Sequence, residues 1–173
     1  MSKREKGFSL IELLIVVAII LIIAAIAIPN LLRSRMAANE ASAVGSIRTM
    51  NTAAVMFNST YGDGFPPTLA VLGGTGVVSC QNAELLDEVV SSGVKSGFNF
   101  NLIPGQVAVV NPPAGCTPGF TDGYVVTAVP TTVGTTGQRS FCSDASGIIT
   151  FDPTGAPPAP AGVLCSANLN PLQ

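Results

Sequence analysis

A single carboxylate, Glu12, stands inside an otherwise uncharged apolar run from Phe8 to Ile28. On insertion scales a carboxylate at membrane depth costs about 2.5–3.5 kcal/mol, so a residue in that place calls for a functional partner. Other reactive groups are scarce. With no histidine in the chain, neither a Ser/His/Asp arrangement nor a Cys/His pair can be built. Asp122, Asp144 and Asp152 are nominal candidates for a carboxylate pair acting on a glycosidic bond. Each adjoins Gly, Ser or Pro in turn-like sequence, where aspartate is common for structural reasons, so an enzyme is not expected. GGTGVV, at residues 73–78, lacks the lysine and hydroxyl residue of a phosphate-binding loop and reads as a plain loop. No calcium-ligand pattern is recognisable, so neither a metal nor a cofactor is expected. Four cysteines, Cys80, Cys116, Cys142 and Cys165, occur without CxxC spacing. An even count in an exported segment reads as two disulfides, with three pairings open.

The elements that position these groups follow from the apolar run. At about 1.5 Å per residue it spans roughly 30 Å, the thickness of bilayer hydrocarbon. Lys3, Arg4 and Lys6 precede it, while Arg33 and Arg35 follow; this bias favours a cytoplasmic N-terminus and an exported remainder. A secretory signal peptide would share the basic start, and Ala24, Ala25 and Ala27 would serve as its cleavage site, but the run is longer than the usual apolar core of such a peptide. A plain signal anchor fits the length and leaves Glu12 unexplained.

Beyond the run the chain has room for one modest domain. Met36, Ala43, Ile47, Met50, Ala54, Phe57 and Tyr61 recur at steps of three and four, with Glu40 interrupting the stripe. One helix from Phe8 to about Tyr61 is the economical reading, its second half amphipathic. Pro29 removes one backbone bond, so a kink or loosening is expected there. Gly62, Gly64, Pro66 and Pro67 are stop signals. Asn58-Ser59-Thr60 matches a glycosylation acceptor, but on a packed helix the match reads as chance. Residues 84–90 predict a short helical turn, and residues 93–97 lead into a first strand. GFNFNLI, GYVVTAVP, QRSFC and GIITF are short β-branched or aromatic runs separated by turn residues, and they predict an antiparallel sheet over residues 95–152. The tail from Pro153 to Gln173 reads as irregular surface coil.

Residues 3–30, KREKGFSLIELLIVVAIILIIAAIAIPN, resemble the leader and N-terminal helix of the type IV pilin and pseudopilin family. The resemblance covers about the first third of the chain and rests on GFSLIE before an uninterrupted apolar helix. It implies an α+β pilin fold: one long N-terminal helix, with a membrane half and an amphipathic half, packed on a small antiparallel sheet head. It implies a cleaved leader over residues 1–7, a transmembrane or filament-core helix over 8–29, and a head over 30–173 that includes the helix half 30–61. A prepilin peptidase would cut between Gly7 and Phe8 and N-methylate Phe8. The new ammonium would need an anion, and Glu12 is the one available in the stretch. Four residues of spacing permits a contact within one helix; the family's use is a pair between Glu12 of an incoming subunit and the Phe8 amine of its neighbour.

The function so implied is a structural, self-assembling subunit held in the inner membrane, head outside the cytoplasm, and drawn by an assembly machinery into a helical homo-oligomeric filament. Adhesion and twitching motility are jobs of such filaments. In many pilins a C-terminal disulfide loop closes the head, which favours Cys142–Cys165 here and leaves Cys80–Cys116; the runner-up joins Cys116 to Cys142. A major pseudopilin of a type II secretion system is the alternative, although such proteins commonly lack disulfides and carry a calcium loop. A membrane-anchored binding module or enzyme is the more distant one. Removal of residues 1–7 leaves five basic and nine acidic side chains, a poor match for nucleic-acid phosphates, so no direct nucleic-acid partner is expected.

Overall fold

The computed structural model describes residues 9–62, 64–105, 116, 120–160, 162–166 and 169–172. Helix α1 runs Leu10–Tyr61 over 52 residues and is continuous through Pro29. The proline thus forfeits one hydrogen bond without ending the helix. Gly62, in the left-handed region at φ 76°, closes α1 with its N–H donating to the Asn58 carbonyl at 3.0 Å, the stop that the sequence predicts. By internal contacts the chain divides into two compact units, Met1–Arg35 and Met36–Gln173.

From Leu10 onward the first unit is the N-terminal part of α1. Its apolar window has no buried residue, and Leu10, Leu21 and Ile28 are each more than half exposed. A surface of this composition is stable only in lipid or against other apolar helices.

The second unit pairs the rest of α1 with a sheet. Two short helices, α2 (Leu69–Leu72) and α3 (Glu88–Ser91), precede it. The sheet is a six-stranded antiparallel meander in sequence order: β1 (Val94–Lys95), β2 (Phe98–Pro104), β3 (Tyr124–Pro130), β4 (Ser140–Asp144), β5 (Ile149–Asp152) and β6 (Asn170–Pro171). Register aligns Phe100 with Ala128, Ala128 with Phe141 and Phe141 with Phe151, which places the aromatic residues on the face turned to α1. Ile47, Met50, Ala54 and Phe57 meet them there, all fully buried. Phe57 stacks edge-on against Phe120 with ring centroids 5.0 Å apart.

Burial in β3 and β4 does not alternate; all five residues of β4 are buried. The reason is the C-terminal tail. Irregular and largely at the surface as expected, it lies across the outer face of the sheet: Ser140 Oγ donates to the Ala156 carbonyl at 2.5 Å, and the Cys165 N–H donates to Asp144 Oδ2 at 3.1 Å. It then returns to add β6, pairing Phe151 with Asn170. A sheet covered on both faces loses the period-two pattern that marks a half-exposed strand.

Candidate functional site

The N-terminal turn of α1 gives Glu12 a definite local role. Ser9 precedes the first helical residue and Glu12 is the third, the spacing of a capping box. The Ser9 N–H donates to Glu12 Oε2 at 2.9 Å, and the Leu13 N–H donates to the Ser9 carbonyl at 3.2 Å. The carboxylate therefore satisfies an orphan donor and sits at the positive end of the helix dipole. It remains exposed, and its other oxygen has no partner among the described residues. Gly7 and Phe8, the expected cleavage and methylation residues, lie outside the described residues. Pro29 lies within the continuous helix, on a surface as exposed as its neighbours.

Both disulfides of the head are in place. Cys142 joins Cys165 with Cα atoms 5.9 Å apart, and Cys80 joins Cys116 at 5.6 Å. The alternative, Cys116 to Cys142, is not formed. Cys142 stands opposite Thr127 on the outer face of the sheet, so the bond to Cys165 fastens the tail where it crosses β4. Asp144 reinforces the same place. Its Oδ1 accepts the Ser146 N–H at 2.9 Å, holding the β4–β5 turn, while Oδ2 holds Cys165. Burial by itself raises the Asp144 carboxyl, but the hydrogen bonds from Ser146 and Cys165 outweigh it and hold the group below its ordinary range.

Asp152 likewise holds a turn, whereas Asp122 makes no such bond among the described residues. Asp152 Oδ1 accepts from the N–H and hydroxyl of Thr154, at 2.8 and 2.6 Å, and Asp122 stands exposed beside Gly123. Among the described residues no group of three His, Cys, Asp or Glu side chains is placed to hold a metal ion.

Glu40 is a structural residue whose role sequence reasoning passed over. It reads as a break in the apolar stripe, yet the structure buries it to 7% exposure. Oε1 accepts the Gln138 and Arg139 N–H groups at 2.8 and 3.1 Å, and Oε2 meets the Arg139 guanidinium at 2.7 Å. Arg139 in turn lies over the rings of Phe141 and Phe151, 5.6 and 5.1 Å from their centroids. Burial raises the Glu40 carboxyl; the Gln138 and Arg139 hydrogen bonds and the Arg139 charge more than reverse this and keep it ionised below the usual carboxylate range. The same helix face carries a second polar tie. Asn51 donates to Ser143 Oγ at 2.8 Å and accepts from the Tyr124 hydroxyl at 3.2 Å. Burial, with the charge of Asp144 adding to it, pushes the Tyr124 phenol up to about 12.

Residues 2–28 match the model described as the prokaryotic N-terminal methylation motif. The chain is 63% identical to the type IV wide pilus major component PilA4 of Thermus thermophilus over 38 residues, 22% of this chain and 29% of that protein. It is 46% identical to the type IV major pilin protein PilA of Myxococcus xanthus over 58 residues, 34% of this chain and 26% of that protein. The matched stretch thus spans less than a third of either relative. No solved structure matches the chain.

Proposed function

We propose that this chain, whose N-terminal segment carries the signature of the type IV pilin and pseudopilin family, is a non-enzymatic type IV pilin that polymerises into a helical surface filament. The observation that carries the reading is the bare first unit. A helix whose apolar window buries nothing within its own chain must be covered by lipid before assembly and by sister helices afterwards. Prepilin peptidase cuts between Gly7 and Phe8 and methylates the Phe8 amine; the assembly machinery then draws the subunit out of the inner membrane, head outermost.

Glu12 acts at that step. Its capping bond to Ser9 uses one oxygen, which leaves the other for the Phe8 ammonium of a neighbouring copy. A misregistered subunit would strand both charges in an apolar core at a cost of several kcal/mol, so the pair checks register more than it adds net stability.

The rival reading is a major pseudopilin of a type II secretion system. Two disulfides in the head support the pilin, because they favour a wall that must survive outside the cell. Electron microscopy with antibodies against the head separates the two: the pilin reading expects abundant long labelled fibres on the cell surface. Label confined to the envelope in cells that secrete through this protein would overturn it.

A further inference from the structure

The charges that bound the apolar part of α1 are spaced for a bilayer. From Leu13 to Leu32 the helix carries no charged side chain, and at 1.5 Å of rise per residue this stretch spans about 30 Å, the thickness of bilayer hydrocarbon. Glu12 stands immediately before it and Arg33 immediately after. Hydrocarbon placed over Phe8–Ile28 instead would take in Glu12 and leave Leu31 and Leu32, 62% and 40% exposed, in water.

Arg33 and Arg35 are the first charged side chains beyond the stretch. Both are exposed, and neither guanidinium has a partner among the described residues. Arg139, by contrast, is committed to Glu40, and Arg48 belongs to the second unit. At 3.6 residues per turn Arg33 and Arg35 leave the helix about 200° apart, on nearly opposite sides. One protein face meets one side of a helix, whereas a lipid leaflet surrounds it. Ser34, between the two, spends its hydroxyl on the Asn30 carbonyl at 3.0 Å, so the arginines are the outward donors of this turn. Basic residues are depleted on the exported side of a membrane span, and a pair placed there calls for an anion.

We infer that Arg33 and Arg35 grip the phosphates of phospholipid headgroups in the leaflet on the exported side. The grip sets the depth of the waiting subunit, with Leu13–Leu32 in hydrocarbon and Glu12 at the cytoplasmic boundary. A guanidinium offers planar, paired donors to phosphate oxygens, and the apolar stem of arginine carries its charged end to the headgroups from a Cα at the hydrocarbon edge. Glu12 is then spared full burial in lipid until a filament takes it up. Pro29 and Asn30 lie just inside the same leaflet, where Asn30 meets the lipid ester groups. The inference rests on the membrane-held state of the pilin reading and adds what fixes its depth.

The full chain, purified and inserted into vesicles of phosphatidylethanolamine and phosphatidylglycerol, tests both depth and grip. Every native cysteine is disulfide-bonded, so a cysteine introduced at Leu31, Leu32, Ala37 or Ala38 is the single free thiol. A membrane-impermeant maleimide is expected to label Leu31→Cys and Leu32→Cys at least about tenfold more slowly than Ala37→Cys and Ala38→Cys, because a thiol in hydrocarbon stays protonated. Fast labelling at Leu31 or Leu32, or protection at Ala37 and Ala38, overturns the inference. For the grip, a chain carrying Arg4→Gln, which removes the leader guanidinium, is isotope-labelled at its arginine Cζ carbons, and solid-state NMR reads their dipolar coupling to lipid phosphorus. Coupling is expected in that chain, unchanged when Arg48→Gln is added and lost when Arg33→Gln and Arg35→Gln are added together. No coupling in the parent, or coupling that survives the loss of both arginines, overturns the inference. A chain that stays outside the bilayer overturns the membrane-held reading itself, so the two failures are distinguishable.

Discussion

Glu40 shows how far a buried carboxylate can be from legible. Its partner Arg139 lies 99 residues along the chain, so no local spacing predicts the bond, and an acidic residue within an apolar stripe looks like a flaw in the stripe. In the fold it satisfies two backbone N–H groups and fixes the loop that leads into β4. Glu40→Ala is expected to destabilise the head by about 2–3 kcal/mol, because it orphans those donors and leaves a guanidinium that water reaches only in part. Denaturant unfolding of the detergent-solubilised chain measures this. The pH dependence has a definite sign. Glu40 and Asp144 are both held below their ordinary values, so their contribution is fully present above the unfolded carboxyl pKa. It is lost as pH falls from there through the lower folded values. Head stability should therefore decline in acid, and Glu40→Gln should decline less steeply. At Glu12 the expectation concerns assembly instead of folding. Glu12→Ala removes a capping bond worth about 1 kcal/mol on an exposed helix end, yet should leave a processed, membrane-inserted chain that makes little fibre. Normal fibre yield from that variant would refute the charge-register role.

Elements were more readable than residues. The four main strands announce themselves as β-branched or aromatic runs between turn residues, and the end of α1 at Tyr61 is set by Gly62. Three elements are not visible in this way, and the first, the two-residue β1, reads only as the lead-in to a strand. α2 is a four-residue helix inside TLAVLGG, too short for a period to show. β6, at Asn170–Pro171, contains a proline, which marks a coil or an edge, and it forms only because the tail is carried back to β5. What carries it is the bond between Cys142 and Cys165, a sequence separation of 23. Replacing both cysteines by serine is expected to cost about 3 kcal/mol in the chain-entropy account. It should also free residues 153–172 to limited proteolysis while β2, β3 and β4 stay protected, and mass spectrometry of the digest reads both. A tail that stays resistant after this change would show that Asp144 and Ser140 alone suffice to hold it.

At the scale of the molecule the two units follow opposite rules. The head hides a core of apolar residues between a sheet and a helix, whereas the helix of residues 10–28 buries none of its own. Sequence alone distinguishes these regimes, because an uninterrupted apolar surface and a three-and-four stripe leave different patterns. The partner of the bare surface is not written in a single chain; in the function we propose, the groups that cover it belong to other copies. Our account supplies that partner from the leader motif, the lone carboxylate and the similarity to two pilus proteins. Its most direct test is the mass of the N-terminal peptide from the head-labelled surface fibres. The account predicts a chain beginning at Phe8 and heavier by one methyl group. A fibre-borne chain that keeps Met1, or one that begins near Ile28, would contradict it.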